Sequence, residues 1–210
     1  ARDAQAAAPR GAPRWRVHKG TRPASRDARF RERAVELRGE VLVSHVRKAT
    51  VGRVAAANSH PFARGRWVFA HNGTIQDLAW VRAGVSSARA AEIRGDTDSE
   101  IFFAFLLTRL DDAGLASAPA SPATDAVVAE LAAACRAREG FGSLNFLLSD
   151  GESCYAHRFG RSLWALDRGA APALATRRAH AVFIASEPMT SEDWREVPNG
   201  TLLRVARRDS

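Results

Sequence analysis

The chain has 210 residues, a hydrophobic fraction of 46%, a charged fraction of 26% and a formal net charge of +8. That size and balance suit a globular protein with one sizeable core, or at most two domains. No run of eighteen apolar residues offers a transmembrane helix, and no apolar stretch before a small-residue cleavage site reads as a secretory signal, so a cytoplasmic location is expected.

The positive charge is almost wholly arginine, Lys19 and Lys48 being the only lysines. The arginines are dispersed among Ala, Glu and Asp, as in RDARFRERAVELRGE, and no basic tract interleaved with aromatics occurs, which argues against a nucleic-acid partner. Cys135 and Cys154 make neither a disulfide framework nor a zinc-ligand spacing. Cys135, in the helical pattern AELAAACRARE, is expected to pack as a small hydrophobe, and Cys154 to lie on a strand.

In chain order, residues 1–14 (ARDAQAAAPRGAPR) lack periodicity and are expected to be disordered. Residues 24–38 predict an amphipathic helix with Phe30, Val35 and Leu37 on its apolar face. GEVLVSHV predicts a short strand, and RWVFAH a second one, ended by the turn signal Asn72-Gly73. GDTDSE opens a helix: Thr97 and Glu100 have capping-box spacing, and Ile101, Phe102, Phe105 and Leu106 form a stripe. A Pro/Ala/Ser loop, LASAPASPAT, leads to a helix from about Thr124 to Arg138. After Gly140 the texture becomes β: GSLNFLLS, the turn Asp150-Gly151, SCYAHRF, SLWAL, HAVFIAS and TLLRV. Strands, a helical pair and strands again imply an α+β layered domain.

Several polar residues admit two readings. Asn72-Gly73 is locally a tight turn, yet an Asn amide and a Gly N–H can also converge on a developing oxyanion. Arg47 suits either a structural ion pair or bidentate capture of a carboxylate. Asp98 suits either a first-turn helix acid or a grip on a substrate ammonium. His60 and His71 read more simply as structural hydrogen-bonding residues than as bases, and Thr50 could add a hydroxyl beside Arg47.

The order of the motifs is more specific than any one of them. HxRxATxG, then NSHPF, then HNG, then GDTDSE resembles the class II glutamine amidotransferases, and within them the stand-alone bacterial type; the stretch SEPMTSEDWREVPNGTLL fits the same group. The resemblance covers residues 15–210, the expected amidotransferase domain, and implies an N-terminal nucleophile hydrolase fold, a four-layer αββα sandwich. By motif it implies that Arg47 and Thr50 bind the substrate's α-carboxylate and Asp98 its α-amino group. Asn72 and Gly73 would form the oxyanion hole, and His60 would support the glutamine pocket. No metal or organic cofactor is implied, because thioester chemistry needs none. The family's nucleophile is a cysteine at the mature amino terminus, whereas this chain begins at Ala1, so a truncated domain lacking its N-terminal strand segment is expected. Two functions follow: hydrolysis of glutamine or a γ-glutamyl amide by the intact protein, or an inert pocket protein that binds a γ-glutamyl compound or a partner.

Overall fold

The computed structural model describes residues 15–47, 53–170 and 181–207; the expectations for residues 1–14 and for Thr50 lie outside them. The first element is α1 (Ala28–Glu36), N-capped by Asp27, whose carboxylate accepts from the N–H groups of Arg29 and Phe30. The expected helix is thus shorter than 24–38, and its apolar face is uncovered: none of its residues is buried, Phe30 is 41% exposed and Val35 72%. Leu37 lies past the helix, at its C-cap, in an extended conformation.

The strand expected at GEVLVSHV is not formed; residues 42–47 pair with no strand. The first strands are β1 (Phe62–Arg64) and β2 (Trp67–Ile75), and β1 covers only Trp67 to Phe69 of β2. Over the open part of that edge, a side chain replaces the missing strand: the His45 ring Nε2 donates to the His71 carbonyl at 3.0 Å.

Asn72-Gly73 does not end the strand either. β2 runs through both residues, in antiparallel register with β3 (Gly142–Ser149), so that Asn72 opposes Asn145 and Gly73 opposes Leu144. The turn preference of Asn-Gly yields here to an eight-residue ladder. Gly73 is required for close approach rather than for a turn. A Cβ there would collide with the Ser143 carbonyl and the His71 ring.

After β2 come two short helices, α2 (Leu78–Ala83) and α3 (Ser87–Ala90), neither of which was anticipated. The pair α4 (Asp98–Asp112) and α5 (Pro122–Ala137) follows as expected. The Thr97 hydroxyl caps α4 by accepting from the Glu100 N–H, while α5 begins with a reciprocal Ser121–Thr124 cap and Pro122 in its first turn. β4 (Ser153–His157), β5 (Trp164–Asp167), β6 (Val182–Ala185), β7 (Arg195–Glu196) and β8 (Leu202–Ala206) complete the chain.

The strands form two antiparallel sheets, ordered β1-β2-β3-β4-β8 and β6-β5-β7. One face of the larger sheet packs on α4 and α5. Phe69, Phe146, Phe102, Phe103, Leu106 and Leu107 are buried together there, with the Phe69 and Phe103 rings stacked at 5.1 Å. α4 is buried almost all round, not along a single stripe, because it lies between the sheet and the neighbouring helices. The other face carries Leu147, Ala156 and Leu203, which meet Leu163, Ala165, Ile184 and Val197 from the smaller sheet and its flanks. The described residues therefore stack as helices, sheet and sheet. Side chains alternate along β2, so His71 faces α4 and Asn72 faces the side of the smaller sheet.

Candidate active site

The site is built where β2 meets the first turn of α4. Asp98 is 7% exposed, and its carboxylate ties the two elements together: one oxygen accepts from the Ile75 N–H at 2.8 Å, the other from the Ser99 N–H at 2.9 Å. His71 is buried below Gly73, with Nδ1 2.9 Å from the Ser99 hydroxyl and Nε2 3.2 Å from the Ser143 carbonyl. Burial pushes its pKa below the ordinary value and outweighs the opposing pull of Asp98, so the ring is neutral.

These partners assign the tautomer. A neutral imidazole has one proton, and the Ser143 carbonyl can only accept, so the proton sits on Nε2. Nδ1 then accepts from the Ser99 hydroxyl, which has no second proton for Asp98 3.3 Å away. Asp98 is left with two N–H partners and spare lone pairs. A buried anion with unused acceptor capacity, next to Gly73, is suited to a ligand cation.

The remaining motif residues gather on the open edge of β2. His45 bonds to the His71 carbonyl, and its ring lies 4.1 Å from that of His60, which in turn meets Phe62 edge-on at 4.7 Å. Among the described residues, neither ring nitrogen of His60, nor Nδ1 of His45, has a hydrogen-bond partner. Burial, with His45, His71, Lys19 and Arg47 nearby, drives the His60 pKa down to about 2. His60 is therefore a neutral wall of the site and not a general base at neutral pH. Arg47 is partly exposed, and its guanidinium donates to the Arg53 carbonyl at 3.3 Å. Asn72 is exposed, with its backbone held by β3 and its amide making no hydrogen bond among the described residues. The structure thus joins His71 and Asp98 through Ser99 in one bonded network, packs Gly73 close to the His71 ring, and connects His60 to it through His45.

One structural residue inside the motifs escaped the sequence reading, and another, Glu100, plays a different part from the capping-box role expected of it. Asn58, in NSHPF, is buried and clasps the GDTDSE segment, its amide donating to the Asp96 carboxylate at 2.5 Å and its carbonyl accepting from the Asp96 N–H at 3.0 Å. Glu100 completes no reciprocal capping box. Its carboxylate accepts instead from the N–H groups of Arg94 and Gly95 and pairs with Arg64 at 2.5 Å. Asn58→Ala should cost about 1–3 kcal/mol by leaving the Asp96 N–H unpaired; urea unfolding measures it, and an unchanged midpoint would refute the clasp.

Neither cysteine supplies a nucleophile. Burial raises the Cys135 thiol to about 12 and the Cys154 thiol to about 11, so both stay protonated and inert at neutral pH. Among the described residues no group of His, Cys, Asp and Glu side chains could hold a metal ion, and no helix is long and apolar enough to cross a membrane.

A family profile described as glutamine amidotransferases class-II matches residues 15–177. The Escherichia coli (strain K12) protein YafJ is 33% identical over 184 residues, which cover 76% of this chain and 67% of YafJ. The gamma-glutamyl-hercynylcysteine sulfoxide hydrolase of Mycobacterium tuberculosis (strain CDC 1551 / Oshkosh) is 32% identical over 198 residues, covering 93% of this chain and 70% of that protein. For a Haemophilus influenzae relative the match spans only 38% of its length. Among solved structures, a glutamine aminotransferase class-II domain protein from Silicibacter pomeroyi superposes with a TM-score of 0.63 at 26% identity, over 90% of this chain and 80% of that one.

Proposed function

The chain belongs to the class II glutamine amidotransferases, and on that premise we propose that its site binds the glutamyl end of glutamine or of a γ-glutamyl amide and supports hydrolysis of the γ-amide. Arg47, with Thr50, takes the α-carboxylate; Asp98 takes the α-ammonium; the Asn72 amide and the Gly73 N–H face the amide oxygen as it becomes an oxyanion. His60 packs beside the glutamyl chain as a neutral wall. The observation that carries this reading is Asp98, buried at the head of α4 and bonded to only two N–H groups once Ser99 is committed to His71. The helices–sheet–sheet stack also supports the N-terminal nucleophile hydrolase architecture, with the site at the open edge of β2 beside the head of α4. The thiol that forms the thioester is the family's amino-terminal cysteine. This chain's own residues hold the substrate zwitterion and stabilise charge on the oxygen.

A second reading is a pocket that binds a γ-glutamyl compound without turning it over, with the buried Cys135 and Cys154 thiols taking no part in either reading. Calorimetric titration with L-glutamine tests what both share. Arg47→Lys keeps the charge but loses the planar fork, and should weaken binding about tenfold; an unaltered affinity would remove Arg47 from the carboxylate site. With the family's amino-terminal cysteine in place, amine release that survives Cys135→Ser and Cys154→Ser supports the hydrolase, whereas binding without release supports the second reading.

A further inference from the structure

Asn145 stands directly opposite Asn72 in the β2–β3 ladder, so the two side chains rise from the same face of the sheet. Unlike Asn72, Asn145 is buried and fully used. Its amide donates to the carbonyls of Arg161 and Ser162 at 3.1 and 2.9 Å, and its oxygen accepts from the N–H groups of Phe159 and Arg161 at 2.8 and 3.2 Å. The loop after β4 is thereby pinned on top of β3, beside Asn72. It is held from other directions as well: the Gly160 N–H donates to Asn199 at 3.0 Å, and the Phe159 carbonyl accepts from the Leu144 N–H at 2.7 Å. Gly160, at φ +89, comes so close to Ser143 that a Cβ there would lie 2.8 Å from the Ser143 Cβ.

This rigid loop presents one uncommitted cation. Arg158 is occupied by Glu196 at 2.7 Å and by the Val197 carbonyl. Arg161 is exposed, and its guanidinium makes no hydrogen bond or ion pair among the described residues. The segment carrying His45 and Arg47 lies on the opposite, open edge of β2, where His45 bonds to the His71 carbonyl. Asn72 therefore lies between two arginine-bearing walls, one contributed by residues 45–47 and the other by residues 159–162.

We propose that the loop Phe159–Ser162 forms the subsite for the amine half of the substrate, and that Arg161 selects a γ-glutamyl amide whose amine portion carries a carboxylate, as an amino acid or peptide does. The proposal rests on the γ-glutamyl reading of the same site. With the amide oxygen at Asn72 and Gly73 and the glutamyl carboxylate at Arg47, the substituent on the amide nitrogen is directed toward the opposite wall. A single guanidinium with its fork free matches one carboxylate.

The test compares three ligands by calorimetry on this chain: L-glutamine, γ-glutamylglycine and its neutral analogue γ-glutamylglycinamide. γ-Glutamylglycine should bind roughly fivefold tighter than γ-glutamylglycinamide, the range of a solvent-exposed ion pair, and less so in high salt. Arg161→Gln should erase that difference and leave glutamine affinity unchanged. Equal affinities for the two amides, or a preference that Arg161→Gln retains, would overturn the subsite while the γ-glutamyl reading stands. Failure of all three ligands to bind would overturn both.

Discussion

Lowering the pH from 7.5 to 5 is expected to remove several kcal/mol of folding stability, well before the carboxylates titrate. Four histidines, His45, His60, His71 and His157, have pKa values below their ordinary 6.5, and burial is the largest cause for each. The His157 pKa falls to about 4: its Nδ1–H donates to the Leu144 carbonyl and its Nε2 accepts from Arg136, which leaves no place for a second proton. For His60 it falls to about 2, with no ring partner among the described residues to share a proton and cations around it. A depressed folded pKa means the unfolded chain binds more protons below 6.5, so the stabilisation is complete above that pH. It is lost progressively as pH falls toward the folded values. At pH 5 His60 and His157 alone account for about 2 kcal/mol apiece, a large share of the 5–15 kcal/mol that holds a domain folded. Urea unfolding at pH 7.5, 6.5 and 5 reads this directly. A free energy that does not change across that range would show these rings to take up protons as readily in the folded protein as in the unfolded chain, and the depressed pKa values of His60 and His157 would be withdrawn.

The legibility of this chain divides by the range of the interactions. α4, α5 and the strands from β3 to β6 and β8 could be read because local signals and burial agree: Thr97 and Ser121 cap, Pro122 opens a helix, and the Asp150-Gly151 turn separates two apolar strands. GEVLVSHV misled because strand propensity needs a partner edge, and the edge beside His71 is taken by the His45 side chain. Asn72-Gly73 misled for the opposite reason: a long partner strand overrode a local turn preference. α1 was legible as a helix, but not that its apolar face lies uncovered, because burial is a tertiary fact. At the site, the charged residues announced themselves by motif order. Asn58, Ser99 and Ser143, which hold those residues in place, are small polar side chains whose partners lie far off in sequence. Asn145 left one faint trace, an amide among apolar neighbours in a strand, where asparagine is disfavoured.

Asn72→Ala should separate catalysis from folding more cleanly than any other change at the site. The Asn72 side chain is exposed and unbonded among the described residues, while its backbone stays in the ladder opposite Asn145. Stability should therefore move by less than about 0.5 kcal/mol. Loss of one oxyanion donor should nonetheless lower kcat for γ-glutamyl amide hydrolysis by about 10² to 10³, with the family's amino-terminal cysteine in place, and leave KM nearly unchanged. Asp98→Asn gives the contrasting pattern. A carboxamide offers one oxygen where the carboxylate offers two, so the N–H of Ile75 or of Ser99 would face an NH₂ group instead of an acceptor. That should cost about 1–3 kcal/mol of stability, and loss of the charge should raise KM through the ammonium of the substrate. Measuring melting temperature, kcat and KM on both variants decides the matter. If Asn72→Ala destabilised the fold and left kcat intact, the exposed amide would be a structural residue, and the oxyanion would have to be held by Gly73 without it.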